Sequence, residues 1–375
     1  MTNSPIDVCV QGAGAVGAAL ALALSRRGFW VALSNPVAAP TGPDVRAYAL
    51  SAASVALLTE LKVWDALPLD ARTPVQEMRV AGDRGGALQF SAWEQCVSQL
   101  AWIVDAAELD RCLADALRYA PHVQRVDAPV DAPLQAICEG KQSASRERLG
   151  VRYERQPYGH SAVAARLTAT QPHAGVAWQW FRSPDVLALL PFDRPEPGCS
   201  YGLVWSMPEA DAKTWLAAPQ ADFEDALQAA IGEAGARIGT LQLASERFAW
   251  PLFTAQAEPW CGEGWALLGD AAHAVHPLAG QGLNLGLGDV ITLARLLAEQ
   301  RQATPWRSPG DARLLRRYAR ERSLAATAMN GVGDGLWQLF SRPQAPLAEL
   351  RNRGLSLVNQ LGPVKRWLAQ QAFHA

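Results

Sequence analysis

The stretch Ile6-Asp7-Val8-Cys9-Val10-Gln11-Gly12-Ala13-Gly14-Ala15-Val16-Gly17-Ala18-Ala19-Leu20-Ala21-Leu22-Ala23-Leu24 decides the fold. Ile6 to Val10 reads as a short apolar strand, and Ala18 to Leu24 as a buried helix. After Arg26-Arg27-Gly28 a second apolar run follows, Phe29 to Leu33. Strand, glycine turn, helix, strand is a βαβ unit, the setting in which the glycine spacing has a physical meaning. Gly12 allows the tight turn. Gly14 lets the backbone approach a pyrophosphate on the helix N-terminus, and Gly17 lets helix and strand pack closely. An acidic residue normally ends the second strand and grips ribose hydroxyls. Here that end is Ser34-Asn35-Pro36. Asn35 can still hydrogen-bond a hydroxyl, without the charge assistance of a carboxylate.

The rest of the chain sets the bounds. Its 375 residues correspond to roughly two to three ordinary domains. With 49% apolar and 19% charged residues it has the composition of a globular protein with a large core, not of a disordered or collagenous one. The apolar run Ala13 to Leu24 is too short to span a bilayer, and no basic leader precedes an apolar core, so a cytoplasmic protein is expected. Six cysteines are scattered without a Cys-x-x-Cys pair, which argues against a disulfide framework or zinc ribbon. The net charge of −2 hides an asymmetry: residues 301–375 carry 12 Arg and Lys against 4 Asp and Glu, on an acidic body. Such a tail can serve an anionic surface or form a solvated helical face.

A second signature lies far down the chain. Gly269-Asp270 follows the apolar run Trp265 to Leu268, and Pro277 to Leu283 is a glycine-rich turn before a helix expected over Asp289 to Glu299. Asp270 at a strand end can accept hydrogen bonds from ribitol or ribose hydroxyls. The turn's N–H groups can face an anion or a reduced flavin ring, with the helix dipole adding to the effect.

His276-Pro277-Leu278-Ala279-Gly280-Gln281-Gly282-x-Asn284-x-Gly286-x-x-Asp289 resembles the signature of the FAD-dependent aromatic hydroxylases of ubiquinone biosynthesis, within the p-hydroxybenzoate hydroxylase-like group. The resemblance covers nearly the whole chain. Asp44-Val45-Arg46-Ala47-Tyr48-Ala49-Leu50-Ser51 is similar to the stretch whose arginine meets the flavin, here Arg46. Ile103-Val104-Asp105 and Leu109 to Leu113 resemble the next cofactor-facing segment. Leu187-Ala188-Leu189-Leu190-Pro191 resembles the strand lining the substrate cavity, and Val204-Trp205-Ser206 and Trp250-Pro251-Leu252 resemble later strands. Four departures lie at or beside the cofactor site. Asn35 replaces an acid, and Glu139-Gly140 stands where the family has Asp-Gly. Ala106 replaces a polar residue, and the small β-meander expected between Ala120 and Glu139 is truncated.

The resemblance implies an α/β fold: an FAD-binding Rossmann-like domain of the glutathione reductase type, interleaved with a β-sheet substrate domain and C-terminal helices. The expected cofactor domain is discontinuous (1–70, 97–155 and 255–330), the substrate domain covers 71–96 and 156–254, and the helices cover 331–375. The implied activity is hydroxylation of a prenylated phenol with FAD, NAD(P)H and O₂. Gly12, Gly14, Gly17, Asn35, Arg46, Glu139, Gly140, Gly269, Asp270, Gly282, Leu283 and Asn284 are the expected cofactor contacts. Pro277, Gly280, Gln281 and Gly282 are the expected catalytic turn, stabilising the reduced anionic flavin. No protein nucleophile is needed.

Other features weigh less. Gly331-Val332-Gly333-Asp334-Gly335 has no preceding strand, so it reads as a loosened helix or turn rather than a second nucleotide site. His273 and His276 are spaced to hold a metal, but their glycine-rich setting favours the flavin reading, and no metal is expected. Trp178, Trp180 and Trp205 read as sheet packing, with an aromatic wall beside a polyprenyl-phenol as the sharper reading. Leu355, Val358, Leu361, Val364, Leu368 and Phe373, with Arg353, Lys365 and Arg366, form either an amphipathic closing helix or a surface for the inner membrane leaflet. Nucleic acid is not an expected partner; other quinone-biosynthesis proteins and an oligomer are compatible with the sequence. Two alternatives stand beside the leading one: a flavin-poor accessory member of a quinone-synthesising complex, and a related hydroxylase of a soluble aromatic.

Overall fold

The computed structural model describes residues 6–34, 44–83, 85–275 and 282–341. Three sheets organise the chain. The first has six strands: β1 (Val8–Gln11), β2 (Val31–Ser34), β8 (Val123–Val126), β9 (Leu134–Ile137), β16 (Cys261–Gly262) and β17 (Trp265–Leu267). Their order is β16-β17-β9-β1-β2-β8, parallel except for the β16–β17 pair. β1 and β2 are buried along their whole length, as a parallel sheet covered on both faces requires.

The second sheet has nine strands. β5 (Glu77–Gly82) and β6 (Ala87–Ser91) form one end. β10 (Arg152–Ala169), β11 (Val176–Arg182), β12 (Asp185–Phe192) and β13 (Ser200–Pro208) form the middle. β14 (Leu241–Leu243), β15 (Phe248–Glu258) and β18 (His273–Ala274) complete it. The long β10 pairs β15 through its first part and β14 through its last. β3 (Ala47–Leu50), β4 (Arg72–Val75) and β7 (Ala101–Asp105) form a small antiparallel sheet, with β5 and β6 of the second sheet between β4 and β7 in sequence. Segment 71–96 therefore contributes to two sheets.

Among the described residues nine α-helices accompany them: α1 (Ala15–Ser25), α2 (Ala52–Glu60), α3 (Ala106–Arg118), α4 (Ala144–Arg148), α5 (Glu209–Ala217), α6 (Gln220–Ile231), α7 (Gly235–Ile238), α8 (Gly282–Ala303) and α9 (Ala312–Ser341). α1 is apolar all round and sits in the largest core, with Leu20 and Leu24 fully enclosed beside Leu293 and Leu315. Asp105 caps α3 by accepting from Glu108 N–H, and Ser51 caps α2 by accepting from Ser54 N–H.

Several expectations change in detail. No β-strand stands among residues 127–133, so the connection between β8 and β9 is short. α8 begins at Gly282, not near Asp289. Its glycines are there for close approach rather than to form a turn: a Cβ on Gly286 would lie 2.6 Å from Val16 Cγ2, and one on Gly288 2.7 Å from Arg322 Nη2. Gly331 to Gly335 and Leu336 to Phe340 all continue α9. Residues 342–375, with the expected amphipathic segment, lie outside the described residues.

The nine-stranded sheet has two distinct faces. Trp178, Trp180 and Trp205 lie on the outer one. Trp205 packs on Phe223 of α6 and Trp215 of α5, and Trp178 stacks on Trp180 at 5.7 Å. They are sheet packing, the leading expectation for them. Cross-strand register puts Ala162, Ala164, Ala188, Gly202, Val204 and Ser206 on the opposite, inner face, edged by Phe248 and Trp250. Phe248 and Trp250 stack at 6.2 Å, and Trp250 is 40% exposed.

Candidate cofactor and substrate site

The first part of the site is the β1–α1 turn. Gly12 adopts φ +103, and a Cβ there would sit 2.5 Å from the Cys138 carbonyl oxygen. Gly17 touches the same corner: its Cβ would collide with the Gly12 carbonyl and approach Cys138 Cβ to 3.2 Å. Both are needed for β1, β9 and α1 to meet. Gly14 differs. It is the extended N-cap of α1, with no atom of the described residues within 4 Å of where a Cβ would be, its chain neighbours aside. Beyond it, the first N–H groups of α1 have no intrahelical partner. Gly12 N–H donates to Ser34 O at 2.8 Å, which brings the end of β2 beside this turn. Asn35 lies outside the described residues.

Arg46 leads into β3. Its guanidinium is paired to Asp44, with Nη2 2.7 Å from Oδ2 and Nε 2.9 Å from Oδ1. That hydrogen bond, stronger than the opposing effect of burial, raises the Arg46 pKa. Nearby, burial pushes the Tyr48 phenol up to about 12 and raises the Asp110 carboxyl.

Glu139 follows β9. Oε2 accepts from Ser143 Oγ at 2.7 Å and Ser145 N–H at 2.9 Å, and Oε1 lies 2.8 Å from Ser145 Oγ. The extra methylene relative to aspartate lets this carboxylate reach the start of α4. Its two oxygens are committed to protein donors, so Glu139 organises the loop rather than presenting a free carboxylate. Gly140 adopts φ +74 with open space around its Cα. Arg146, on α4, is 1% exposed and holds the Ala271 and Lys141 carbonyls, its guanidinium 3.6 Å over the Tyr153 ring. Arg146 thus ties the Glu139 loop to the residue after Asp270.

The third part is Gly269 to Asn284. Gly269 adopts φ +59 and packs on Val16 of α1. Asp270 uses its backbone carbonyl to accept from Tyr153 OH at 2.9 Å, while its carboxylate has no hydrogen-bond partner among the described residues. Asp289 is fully buried. Its Oδ2 accepts from Gly269 N–H at 2.8 Å and lies 2.7 Å from His273 Nε2; its Oδ1 accepts from Arg322 Nε at 2.7 Å. Burial opposes its charge, yet His273 and Arg322 together hold the carboxyl below the usual range. His273, spaced with His276 as a metal pair would be, is thus engaged by a carboxylate; His276 is outside the described residues.

Gly282 starts α8, so Gly282, Leu283 and Asn284 offer first-turn N–H groups. The side chain of Asn284 requires a correction to its expected role. Oδ1 accepts from Ser51 N–H and Ser54 Oγ at 3.0 and 2.7 Å, and Nδ2 donates to Ala49 O at 2.7 Å. The whole amide clasps β3 and α2 to α8, leaving only the Asn284 backbone for a cofactor. Pro277, Gly280 and Gln281 lie outside the described residues.

These parts fit an FAD: a cradle at Gly14 that a side chain would fill, a carboxylate at Asp270 with no hydrogen-bond partner among the described residues, and the N-termini of α1 and α8. Residues 121–331 match the FAD binding domain family. The chain is 31% identical to the 3-demethoxyubiquinol 3-hydroxylase of Escherichia coli, over 98% of each chain. It is 30% identical to the ubiquinone hydroxylase UbiL of Rhodospirillum rubrum, over 98% of this chain and 89% of that one. The chain belongs to the FAD-dependent hydroxylases of ubiquinone biosynthesis. Its fold is shared with PqsL, a probable FAD-dependent monooxygenase from Pseudomonas aeruginosa, at a TM-score of 0.76 and 19% identity, covering 94% and 99% of the two chains. As in that family, FAD is the cofactor.

The structure of this FAD-dependent hydroxylase brings forward Phe248, Trp250 and Arg166, of which the sequence points only to Trp250, as part of a later strand. Phe248 and Trp250 carried a signal, since Trp250 alternates with Phe248 in β15, but only the register reveals which face they share. Arg166 of β10 carried none. A groove of about 1160 Å³ between β10, β15 and α9, lined by Arg313, Arg316 and Arg320, includes none of the cofactor residues above.

Proposed function

We propose that this chain hydroxylates the aromatic ring of a prenylated phenol on the route to ubiquinone, using NAD(P)H and O₂ with FAD. The observation that carries this reading is a junction. The small-residue inner face of the nine-stranded sheet, edged by Phe248 and Trp250, joins the β3 arm that bears Arg46, through the Arg166–Arg46 hydrogen bond of 2.7 Å. An aromatic ring needs a flat floor, and alanine, glycine and valine side chains offer one. A prenyl chain needs an apolar wall, and the stacked pair supplies it.

FAD, when bound, supplies the redox and oxygen-activating chemistry. The protein's own residues position it. Gly12, Gly14 and Gly17 shape the pyrophosphate turn, and Asp270 accepts from ribose or ribitol hydroxyls, as Asn35 does at the end of β2. Arg46 faces the flavin. Glu139 and Gly140 hold the adjoining loop, and Gly269 seats it on α1. Gly282, Leu283 and Asn284 present backbone N–H groups, which with Pro277, Gly280 and Gln281 stabilise negative charge on the reduced ring. The cofactor unit and the substrate unit are interleaved, meeting at β3 and β10. The basic tail, with Arg353, Lys365 and Arg366, docks on an anionic inner leaflet where the prenylated substrate resides; among the described residues no helix is long and apolar enough to cross a membrane.

The purified protein should be yellow and oxidise NAD(P)H faster when a prenylated phenol is added. Colourless protein that takes up no FAD in excess would overturn the reading and favour an accessory role. Equal turnover of a water-soluble phenol would remove the prenyl requirement. Absence of flotation with anionic vesicles at low salt would remove the membrane role.

A further inference from the structure

Arg166 stands on the inner face of the sheet, in one cross-strand row with Gly202 and Leu190. It is 7% exposed. Its main chain is pinned, because Arg166 N–H donates to Ser245 Oγ at 2.8 Å and its carbonyl accepts from Ala244 N–H at 2.9 Å. The guanidinium lies 4.0 Å over the Phe192 ring. Nη2 donates to the Arg46 carbonyl at 2.7 Å and reaches Asp105 Oδ2 at 3.3 Å. The same Arg46 carbonyl accepts from Ala106 N–H at 3.2 Å, and Asp105 Oδ1 accepts from Glu108 N–H at 3.1 Å. The substrate sheet and the start of α3 therefore converge on one peptide group, that of Arg46.

This arrangement is poorly explained by packing alone. Nη1 is buried beside Gly202 with no hydrogen-bond partner among the described residues. A buried guanidinium with an unmade hydrogen bond is destabilising, and an apolar side chain of similar length would fill the space without that cost. What an apolar residue cannot do is hold the Arg46 carbonyl and the Asp105 carboxylate together. Lysine cannot reproduce it either, because its single ammonium lacks the planar fork.

We propose that Arg166 is a positioning residue for the cofactor arm: it fixes the Arg46 main chain against the substrate sheet, and so sets the pose from which the Arg46 guanidinium meets FAD. The inference rests on the assignment of Arg46 to the cofactor. It makes the substrate sheet a part of the cofactor site, through one side chain that holds the Arg46 main chain.

The test is a double-mutant cycle read as FAD affinity, by quenching of flavin fluorescence, together with the visible flavin spectrum of the bound form. R166Q, and R166K as the variant that keeps the charge and the fold, should each weaken FAD binding about tenfold, the loss of one charge-assisted hydrogen bond. Each should also shift the bound-flavin spectrum. R46Q should weaken binding as well, and R46Q combined with R166K should be no weaker than R46Q alone. If R46Q weakens binding while R166K leaves affinity and spectrum unchanged, or the two losses add in full, this inference is overturned and the Arg46 assignment survives. If R46Q itself binds FAD as the parent does, both are overturned.

Discussion

His273 Nε2 lies 2.7 Å from Asp289 Oδ2, and neither side chain has more than 1% of its surface exposed. The same carboxylate holds Gly269 N–H and Arg322, so one buried charge ties α8 and α9 to the residue before Asp270. Asp289→Asn leaves Arg322 facing a neutral amide in the core. A loss of about 3–5 kcal/mol is expected, because breaking a buried pair strands its partner. Thermal and urea unfolding measure it; an unchanged Tm would show that the pair contributes nothing.

The pH dependence of this pair has a definite sign. The folded Asp289 carboxyl is held below its ordinary value of 3.8. Its contribution is therefore fully present above the unfolded value and is lost as the pH falls through the lower, folded one. Acid unfolding of the parent should include this loss below about pH 4, and D289N should lack it. Stability curves that run parallel for the two proteins down into acid would contradict the assignment.

Gly12 and Gly14 should separate folding from binding. Gly12→Ala places a Cβ against the Cys138 carbonyl at a φ of +103, which costs about 1–3 kcal/mol in backbone strain alone. Gly14→Ala meets no protein atom, so its Tm should match the parent while FAD affinity falls roughly tenfold, the weight of one hydrogen bond. Parent-like FAD affinity in G14A would remove the pyrophosphate from this turn.

Asp270→Ala should leave stability unchanged, since the carboxylate has no protein donor among the described residues, and weaken FAD about 10- to 100-fold. Flavin fluorescence titration against Tm distinguishes the two effects. A fall in Tm without a change in affinity would make Asp270 structural.

The two faces of the large sheet give a paired prediction. Trp250→Ala should raise KM for a prenylated phenol about tenfold over that for its unprenylated analogue, through lost apolar contact. Trp205→Ala should cost about 3–5 kcal/mol of stability and leave that ratio alone, because Trp205 packs under α5 and α6. An unchanged KM ratio in W250A would place the prenyl chain elsewhere.

The βαβ unit was legible because its strands, glycines and helix are local, and local periodicity reports local structure. The place of Asp270 just after an apolar strand was legible for the same reason. The structural work of the Asn284 side chain was not legible, because its partners, Ser51, Ser54 and Ala49, are more than 200 residues away in sequence. The start of α8 was misplaced because glycine signals a turn in sequence, whereas Gly286 and Gly288 exist to admit Val16 and Arg322. The tryptophans show the same limit: alternation reveals that a strand has two faces, but only cross-strand register says which one meets the cleft.

β17 joins the first sheet beside β9, and Asp270 and α8 come after it. The sheet that begins with Val8 is thus completed by residues made hundreds of peptide bonds later. A ribosome-bound chain that stops short of Trp265 has the glycine turn of α1 but neither Asp270 nor the N-terminus of α8. FAD loading is therefore a late event in the life of the nascent chain. Until Trp265 to Leu267 are made, β9 lacks its parallel neighbour on that side.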